Sequence, residues 1–407
     1  MHVMFIHPNF PAQFGHIAHH LSTEMGWQST CVTSVDTTGL RLPFTHVNYR
    51  LGPGPQPKVF HNPPNLAGLL QHAQAVYRGL KSAPQIRPDL VVGHMSYGTL
   101  LYLKLLYDCP MVGYFELLPP PFWSEALTLR SEFPPPESVR MFNATYHTLT
   151  LLHAQMVDAA YTPTQFQLST APADLRGKTH VIHDGIDTEF FSPREVPRPL
   201  EFRGLPIAPR TRVVTYVSRG LESARGFDVF MRMAAVVAKE RADVQFFIAG
   251  EDRTHYGHEG HHIGKQTFKD YVLSQGDYDT SRFHFLGRIP LTDLQTLLRL
   301  SDLHVYLTVP YVLSWSLMQA MASGCTILAS ATPPVEEVIR HERQGLLAGF
   351  DDVDALASRA LEVLDRPEQF RHLGHGARQR ILKHYERRLC SKRLAALFEE
   401  VASSSRP

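Results

Sequence analysis

Cysteine is scarce in this chain, and the few cysteines do not form a pattern. The sequence of 407 residues contains four, and no two of them have the spacing of a CxxC motif: Cys31, Cys109, Cys325 and Cys390. A disulfide framework is therefore not expected. We expect reduced and mostly buried thiols instead.

Long apolar runs are also missing. The longest, such as 100–106, end well short of the roughly 18 residues that a membrane span requires. The first residues, MHVMFIHPNF, have no basic region and no cleavage site of small residues, so we expect a buried first strand rather than a signal peptide. These features predict a cytoplasmic protein, and peripheral contact with the inner face of a membrane is left open.

An excess of charge of one sign is absent as well. The chain has 40 Lys and Arg against 39 Asp and Glu, a formal net charge of +1. No global field then attracts nucleic acid or an anionic membrane, and no nucleic acid partner is expected. Any anion that binds must be held by local groups.

Apolar stretches of strand length alternate with amphipathic stretches of helix length. The first series contains HVMFIHP, STCVTSV and DLVVGHM, and a second series begins at RVVTYVSR and continues with DVQFFIAG and LHVYLTV. This alternation predicts parallel sheets with helices on both faces. The length fits two such α/β domains, each doubly wound.

The boundaries follow from composition. Prolines and charges are concentrated in 191–211, which predicts a linker between an N-terminal domain at 1–190 and a C-terminal domain at 212–383. We expect the tail, 384–407, to form a helix that crosses back to the first domain.

Ligands of open α/β sheets bind at the carboxyl ends of the strands, so the loops that follow the strands are the candidate sites. In the loop 7–16 a helix begins whose free N–H groups could hold a phosphate or a sugar. A simple strand-to-helix connection, in which Gly15 allows a close approach, is an equal alternative.

The loop 218–227 follows the strand RVVTYV and carries two arginines. Arg219 and Arg225 flank a turn at a helix N-terminus, which predicts a diphosphate clamp, because guanidinium groups offer planar pairs of donors and the helix end adds partial positive charge. A solvated surface pair is the alternative.

The loop 309–316 leads into an apolar and therefore buried helix. Ser314 and Ser316 can cap this helix or donate to a phosphate. A buried Gln319 needs partners, which either the vicinal hydroxyls of a ligand or the neighbouring backbone would provide.

Three other features leave alternatives open. Glu116 ends a strand and could contact a sugar hydroxyl, act as a base, or pair with an arginine. The histidines in 255–262 could bind a metal, although their spacing favours a mobile loop at the rim of the cleft. The aromatic segment 115–133 could contact a membrane, but its charges favour acceptor recognition by Trp123.

Several short motifs of the chain occur in an order that resembles a known family. The ordered motifs are similar to those of the retaining glycosyltransferases of family four, which have the GT-B fold of two Rossmann-like domains with an interdomain cleft. These motifs are Asp184-Gly185-Ile186-Asp187, Ser218-Arg219 with Arg225-Gly226, Phe285-Leu286-Gly287-Arg288, Ser301-Asp302-Leu303-His304-Val305, and Gln319-Ala320-Met321-Ala322-Ser323-Gly324.

The resemblance implies roles for single residues. Arg219 and Arg225 would bind the donor diphosphate and, with Glu116, form the catalytic set. The predicted donor-binding residues are Gly15, Arg219, Arg225, Gly287, Arg288, Ile289, Leu313, Ser314, Trp315, Ser316, Leu317 and Gln319. The predicted acceptor-binding residues are Phe14, His16, His94 and Trp123. No metal and no cofactor is expected.

The chain departs from the family at three positions. Tyr311 and Gln319 stand where the two acids of the Glu-x7-Glu motif are usual, and Glu116 replaces a histidine near the donor sugar. A neutral amide binds a ribose less strongly than a carboxylate, so weaker donor binding is expected.

The expected function is a retaining transfer of a hexose from a nucleoside diphosphate sugar, with UDP preferred, to a saccharide or lipid-linked acceptor in polysaccharide or glycoconjugate synthesis. A catalytically silent subunit that binds or scaffolds, and a GT-B sugar-nucleotide epimerase, are the alternatives. The oligomeric state stays open.

Overall fold

The computed structural model describes residues 1–37, 39, 41–52, 66–118, 129–193 and 198–404. These residues form two compact units. The first contains the chain up to 118, residues 137–185 and the C-terminal helix from 388, and the second contains 129–136 and 186–387.

The first unit is built on a sheet whose described strands are all parallel, in the order β3-β2-β1-β4-β5-β6-β7. These strands are β1 (His2–Ile6), β2 (Gln28–Thr33), β3 (Thr45–Asn48), β4 (Leu90–His94), β5 (Met111–Tyr114), β6 (Ala159–Thr162) and β7 (Thr179–Val181). Its helices are α1 (Gly15–Thr23), α2 (Leu66–Lys81), α3 (Glu137–Met156), α4 (Gln165–Ser169) and α5 (Ala173–Arg176).

The second unit has a short hairpin and a second parallel sheet in the order β12-β11-β10-β13-β14-β15. The strands are β8 (Glu201–Phe202), β9 (Leu205–Pro206), β10 (Arg212–Gly220), β11 (Val244–Glu251), β12 (Phe283–Gly287), β13 (Leu303–Tyr306), β14 (Ile327–Ser330) and β15 (Leu346–Ala348). The helices are α6 (Phe227–Glu240), α7 (Phe268–Ser274), α8 (Leu291–Leu300), α9 (Trp315–Ala322), α10 (Pro333–Glu336), α11 (Val353–Asp365) and α12 (Pro367–His384).

The last helix, α13 (Arg387–Ser404), packs on the first sheet. The ring of Phe398 lies 6.1 Å from that of Phe5 and 6.2 Å from that of Tyr161, between ring centroids. Leu394 and Leu397 belong to the same buried cluster. The first core therefore contains residues from both ends of the chain.

The described part of the expected linker is folded into the second unit. Phe202 and Ile207 are buried against Val213 and Phe247, and the guanidinium of Arg198 contacts the carboxylate of Asp302 at 2.9 Å. The prolines of this segment lie in and beside the short hairpin of β8 and β9. The apolar residues between them pack in the core of the second unit.

After α3 the chain passes between the units at 185/186 and again at 387/388. Beside these two points, the Ile186 N–H donates to the Tyr385 carbonyl at 2.8 Å, and the Arg387 N–H donates to the Ile186 carbonyl at 3.0 Å. The crossovers are thus joined by backbone hydrogen bonds, outside the predicted linker.

The expected first domain, 1–190, is also interrupted, because residues 129–136 pack in the second unit. Arg130 is almost fully buried and contacts Asp228 at 3.2 Å. Its guanidinium lies 5.1 Å from the ring centroid of Phe133, which is itself buried. The apolar side chains of this segment therefore fill a core.

No helix in the described ranges combines the length and the apolar character needed to cross a membrane.

Candidate functional site

A pocket of about 270 Å³ lies at the carboxyl ends of β10, β11 and β12 in the second unit. It is open on one side and is lined by residues of these three strand ends and of α8. The lining residues are Val217, Ser218, Arg219, Ala249, Gly250, Glu251, Arg253, Gly287, Arg288, Ile289 and Leu294.

The charges of this pocket favour an anion. Three arginines and one glutamate line it, which leaves an excess of two positive charges. The Glu251 carboxylate forms an ion pair with the Arg253 guanidinium at 2.6 Å and lies 3.6 Å from the Arg288 guanidinium. Burial and the charges of Arg219 and Arg253 lower the pKa of His255 to about 4, so this neighbouring ring is neutral at pH 7. A doubly charged anion would complete the balance.

The two arginines of the predicted clamp have different environments. Arg219 is exposed at the pocket. Arg225 is only 5% exposed, and its guanidinium donates to the Thr308 hydroxyl at 2.8 Å, the Tyr306 hydroxyl at 3.2 Å and the Val312 carbonyl at 3.1 Å. Arg225 therefore braces the loop that follows β13, while Arg219 faces the pocket.

The histidine-rich loop after β11 is anchored, which differs from the mobile loop that was expected. Glu222 is fully buried and accepts from the backbone N–H groups of His255, Tyr256 and Gly257 at 2.6–3.0 Å. Burial raises the pKa of Glu222, although these N–H groups favour its charged form.

A second buried acid holds the same loop. Glu259 accepts from the hydroxyl of Ser223 at 2.6 Å and from the hydroxyl of Thr254 at 2.7 Å. The loops after β10 and β11 also approach closely at Gly220, where a Cβ atom would lie 2.3 Å from the Arg253 carbonyl oxygen. Any larger residue at 220 would push the loops apart.

Two of the histidine rings have protein partners. His255 contacts Glu251 at 3.1 Å, and His262 hydrogen-bonds the Pro134 carbonyl at 2.8 Å. Within the described ranges, no group of three or more His, Cys, Asp or Glu is arranged to hold a metal ion.

The helix α9 begins beside the loop that Arg225 braces. Ser314 caps it by accepting from the Ser316 N–H at 3.1 Å, and the Ser316 hydroxyl donates to the Val217 carbonyl at 3.2 Å. The side chains of Leu313 and Leu317 are buried, so only their backbone groups could meet a ligand.

Gln319 is half-buried, not buried as the apolar helix had suggested. The backbone partner considered for its amide is not found: the side chain makes no hydrogen bond with the residues that the structure describes. Trp315 is 40% exposed at the helix start. Both side chains can therefore contact a ligand.

The other predicted donor residues lie at the end of β12. Gly287 has a φ of 63°, a left-handed conformation that favours glycine. Arg288 is 84% exposed in its side chain, and Ile289 is half-buried. All three residues line the pocket.

The predicted residues of the first unit lie at the carboxyl end of its sheet. Glu116 accepts from the side-chain amide of Gln13 at 2.7 Å. The His94 ring is buried and packs 5.3 Å from the ring centroid of His7 and 4.8 Å from that of Tyr97. His94 Nδ1 accepts from the Ser96 N–H, which leaves Nε2 as the proton-bearing atom of the neutral ring.

One expectation in the loop 7–16 is corrected by packing, and the donor-binding role of Gly15 stays a prediction. Phe14 is fully buried against Phe5 and Tyr114, so its ring belongs to the core rather than to an acceptor surface. Gly15 starts α1, and its N–H donates to the Pro11 carbonyl at 2.7 Å. A Cβ atom at Gly15 would lie 2.4 Å from that of Pro11, so the turn itself requires the glycine.

Of the remaining two predicted acceptor residues, only His16 lies within the described ranges. His16 is half-buried on α1, beside His183. Trp123 lies outside the described residues.

Family models match most of the chain in two parts. The model described as glycosyl transferase family 4 group matches residues 25–191, and the model described as glycosyl transferases group 1 matches residues 211–366. The chain is a family-four-like glycosyltransferase. No curated protein sequence is similar enough to count as a match.

Solved structures show that this glycosyltransferase has the GT-B fold. Sucrose-phosphate synthase from Thermosynechococcus elongatus is 16% identical with a TM-score of 0.74, covering 99% of this chain and 100% of that one. Anabaena Alr3699/HepE in complex with UDP-glucose is 15% identical with a TM-score of 0.72, covering 98% and 100%. A trehalose-phosphate synthase from Burkholderia xenovorans is 14% identical with a TM-score of 0.68, covering 98% and 99%.

Sequence reasoning missed several residues around the pocket of the glycosyltransferase. Glu251 carried a usable signal, because it is a charged residue at the end of an apolar strand. Glu222 and Tyr256 carried none, since their contacts join two loops that are about thirty residues apart along the chain.

Proposed function

We propose that the glycosyltransferase moves a hexose from a UDP-sugar to a hydroxyl of a saccharide or lipid-linked acceptor, with retention of the anomeric configuration. The observation that carries this proposal is the pocket at the ends of β10, β11 and β12, with its excess of two positive charges. The complexes of Anabaena HepE with UDP-glucose and UDP support the choice of base.

Arg219 is the proposed direct contact of the diphosphate, because it is exposed at the pocket. Arg225 does not line this pocket and makes three hydrogen bonds to protein groups, so its proposed role is to add positive charge without a direct contact. The N-terminus of α9 adds backbone N–H groups and a partial positive charge. Gln319, whose amide has no described partner, would hydrogen-bond the ribose.

In the proposed reaction the bond between the anomeric carbon and the diphosphate oxygen breaks, and the acceptor oxygen bonds to the same face of the sugar. The acceptor proton passes to the departing diphosphate oxygen. Arginine charge and helix-end N–H groups stabilise the negative charge that develops on this group. Glu116, at the carboxyl end of the first sheet, is the proposed contact of the sugar, whereas the buried ring of His94 is enclosed by His7 and Tyr97.

Arg219→Ala tests the donor site. Loss of a charge-assisted contact should raise the Kd for UDP, measured by calorimetry, by about tenfold or more. Arg232→Ala is the matched control, because Arg232 is an exposed arginine on α6 that contacts Asp228. Equal UDP affinity in the Arg219 variant and the wild type would contradict the assignment of Arg219 to the donor site.

Donor turnover separates transfer from the alternatives. Release of UDP from UDP-glucose, in the presence or absence of acceptor, is expected of a transferase and not of a silent subunit. An epimerase would interconvert sugars without releasing UDP. The family matches favour transfer over both.

A further inference from the structure

A tyrosine from the anchored loop contacts both arginines of the donor site. The guanidinium carbon of Arg225 lies 5.2 Å from the ring centroid of Tyr256, and that of Arg219 lies 5.9 Å from it. The Tyr256 hydroxyl also accepts from Nη1 of Arg219 at 3.1 Å. One aromatic side chain thus joins a buried cation to an exposed one.

The position of Tyr256 is set by groups that do not touch the pocket. Its backbone N–H donates to the buried carboxylate of Glu222 at 2.6 Å. Its ring packs on that of Tyr311, 5.2 Å away between centroids. Tyr311 in turn lies 5.8 Å from the guanidinium carbon of Arg225. The ring is therefore held from its backbone and from a neighbouring ring.

We propose that Tyr256 is a positioning residue that tethers Arg219 to the fixed Arg225, so that both positive charges are in place before a diphosphate binds. This inference rests on the proposed function of the pocket. Arg225 cannot move without breaking three hydrogen bonds to the protein. Arg219 is exposed, and ordering a long side chain costs conformational entropy.

The physical basis is the attraction of a guanidinium to an aromatic face. The guanidinium groups of Arg219 and Arg225 lie beside the same ring, and like charges so placed repel each other. The ring and hydroxyl of Tyr256 offset the repulsion through a cation–π contact and a hydrogen bond. Binding a diphosphate then requires less reorganisation of the site.

A double-mutant cycle on the full chain tests the tether. The Kd for UDP is measured by calorimetry for the wild type, Tyr256→Phe, Arg219→Ala and the double variant. Tyr256→Phe removes only the hydroxyl that contacts Arg219, so it should raise the Kd about fivefold in the wild type. It should have no effect in the Arg219→Ala background, because the group it positions is absent.

Two further variants complete the test. Tyr256→Leu removes the ring as well and should weaken UDP binding more than Tyr256→Phe does. Tyr278→Phe is the matched control, because Tyr278 packs on Phe283 and should leave the Kd unchanged. Thermal unfolding of each variant shows that the fold is retained.

The outcomes separate this inference from the proposed function. Equal effects of Tyr256→Phe in both backgrounds, or no effect in the wild type, would overturn the tether while the donor site stands. A wild-type protein that binds no UDP would overturn both.

Discussion

At the scale of single residues, the arginine that the family motif places at position 225 is enclosed by protein groups. Tyr306, Thr308 and the Val312 carbonyl accept from its guanidinium, and the ring of Tyr311 lies 5.8 Å away. The sequence resemblance predicts that Tyr311 stands where the family usually has a glutamate. An aromatic ring beside a cation supplies part of the attraction that a carboxylate would supply, without adding negative charge next to a diphosphate.

Gln319 is the predicted counterpart of the other motif acid, and on that prediction Gln319→Glu should strengthen donor binding. A carboxylate accepts hydrogen bonds from ribose hydroxyls about twice as strongly as a neutral amide does. We therefore expect the Kd for UDP to fall several-fold in calorimetry, and we expect a smaller gain for 2′-deoxy-UDP, which lacks one hydroxyl.

A matched change of charge controls this experiment. Gln275→Glu introduces the same carboxylate at an exposed position, and it should leave both Kd values unchanged. A Gln319→Glu variant that binds UDP more weakly, or gains equally on both nucleotides, would contradict the placing of the ribose at Gln319.

At the scale of elements, α13 completes the first core although it is the last helix in the sequence. Phe398 is fully buried and packs on Phe5 of β1 and Tyr161 of β6. Apolar residues of this helix thus cover a face of the first sheet. Without them, strands near the middle of the sheet would expose apolar side chains to water.

Phe398→Ala should therefore destabilise the protein by about 3–5 kcal/mol, the usual cost of removing a buried phenyl ring and leaving a cavity. The free energy of unfolding in urea measures this loss. Leu291→Ala is the control, because Leu291 is 61% exposed and its truncation should change the free energy by less than about 0.5 kcal/mol. Equal stabilities of the two variants would show that α13 does not support the core.

The secondary structure of an element could be predicted better than the core in which the element packs. The strand RVVTYVSR was predicted from its apolar run, and it forms β10 with Arg219 near its end. The segment 191–211 was predicted to be a linker because of its prolines and charges, yet Phe202 and Ile207 are buried in the second unit. Composition identified the turns there but did not indicate which core the apolar residues enter.

At the scale of the whole molecule, the doubly wound fold could be predicted because alternating periodicity is a local property of the chain. The detailed site could not, because it depends on loops that meet in space. The Tyr256 contacts require the close approach at Gly220 and the buried acids Glu222 and Glu259. No spacing of residues in the sequence indicates that the loops after β10 and β11 approach each other.

Buried histidines give the molecule a predictable response to acid. Burial lowers the pKa of His7 and of His183 to about 3, and lowers that of His304 in the second unit to about 3 as well. The unfolded chain protonates such side chains near pH 6.5, while the folded protein does so only near pH 3. Since the unfolded state then binds more protons, the free energy of unfolding should fall as the pH is lowered from about 6.5 towards 3.

Each such histidine should contribute a loss of about 1.4 kcal/mol per pH unit within that window. His7→Asn tests one of them, because an asparagine oxygen can accept from the Asn9 N–H as Nδ1 of His7 does at 2.9 Å. The variant should lose less stability than the wild type between pH 6.5 and 5 in urea titrations. His19→Asn, at an exposed position of α1, should follow the wild type. Identical pH dependence in all three proteins would contradict a folded-state pKa of His7 that lies well below that of the unfolded chain.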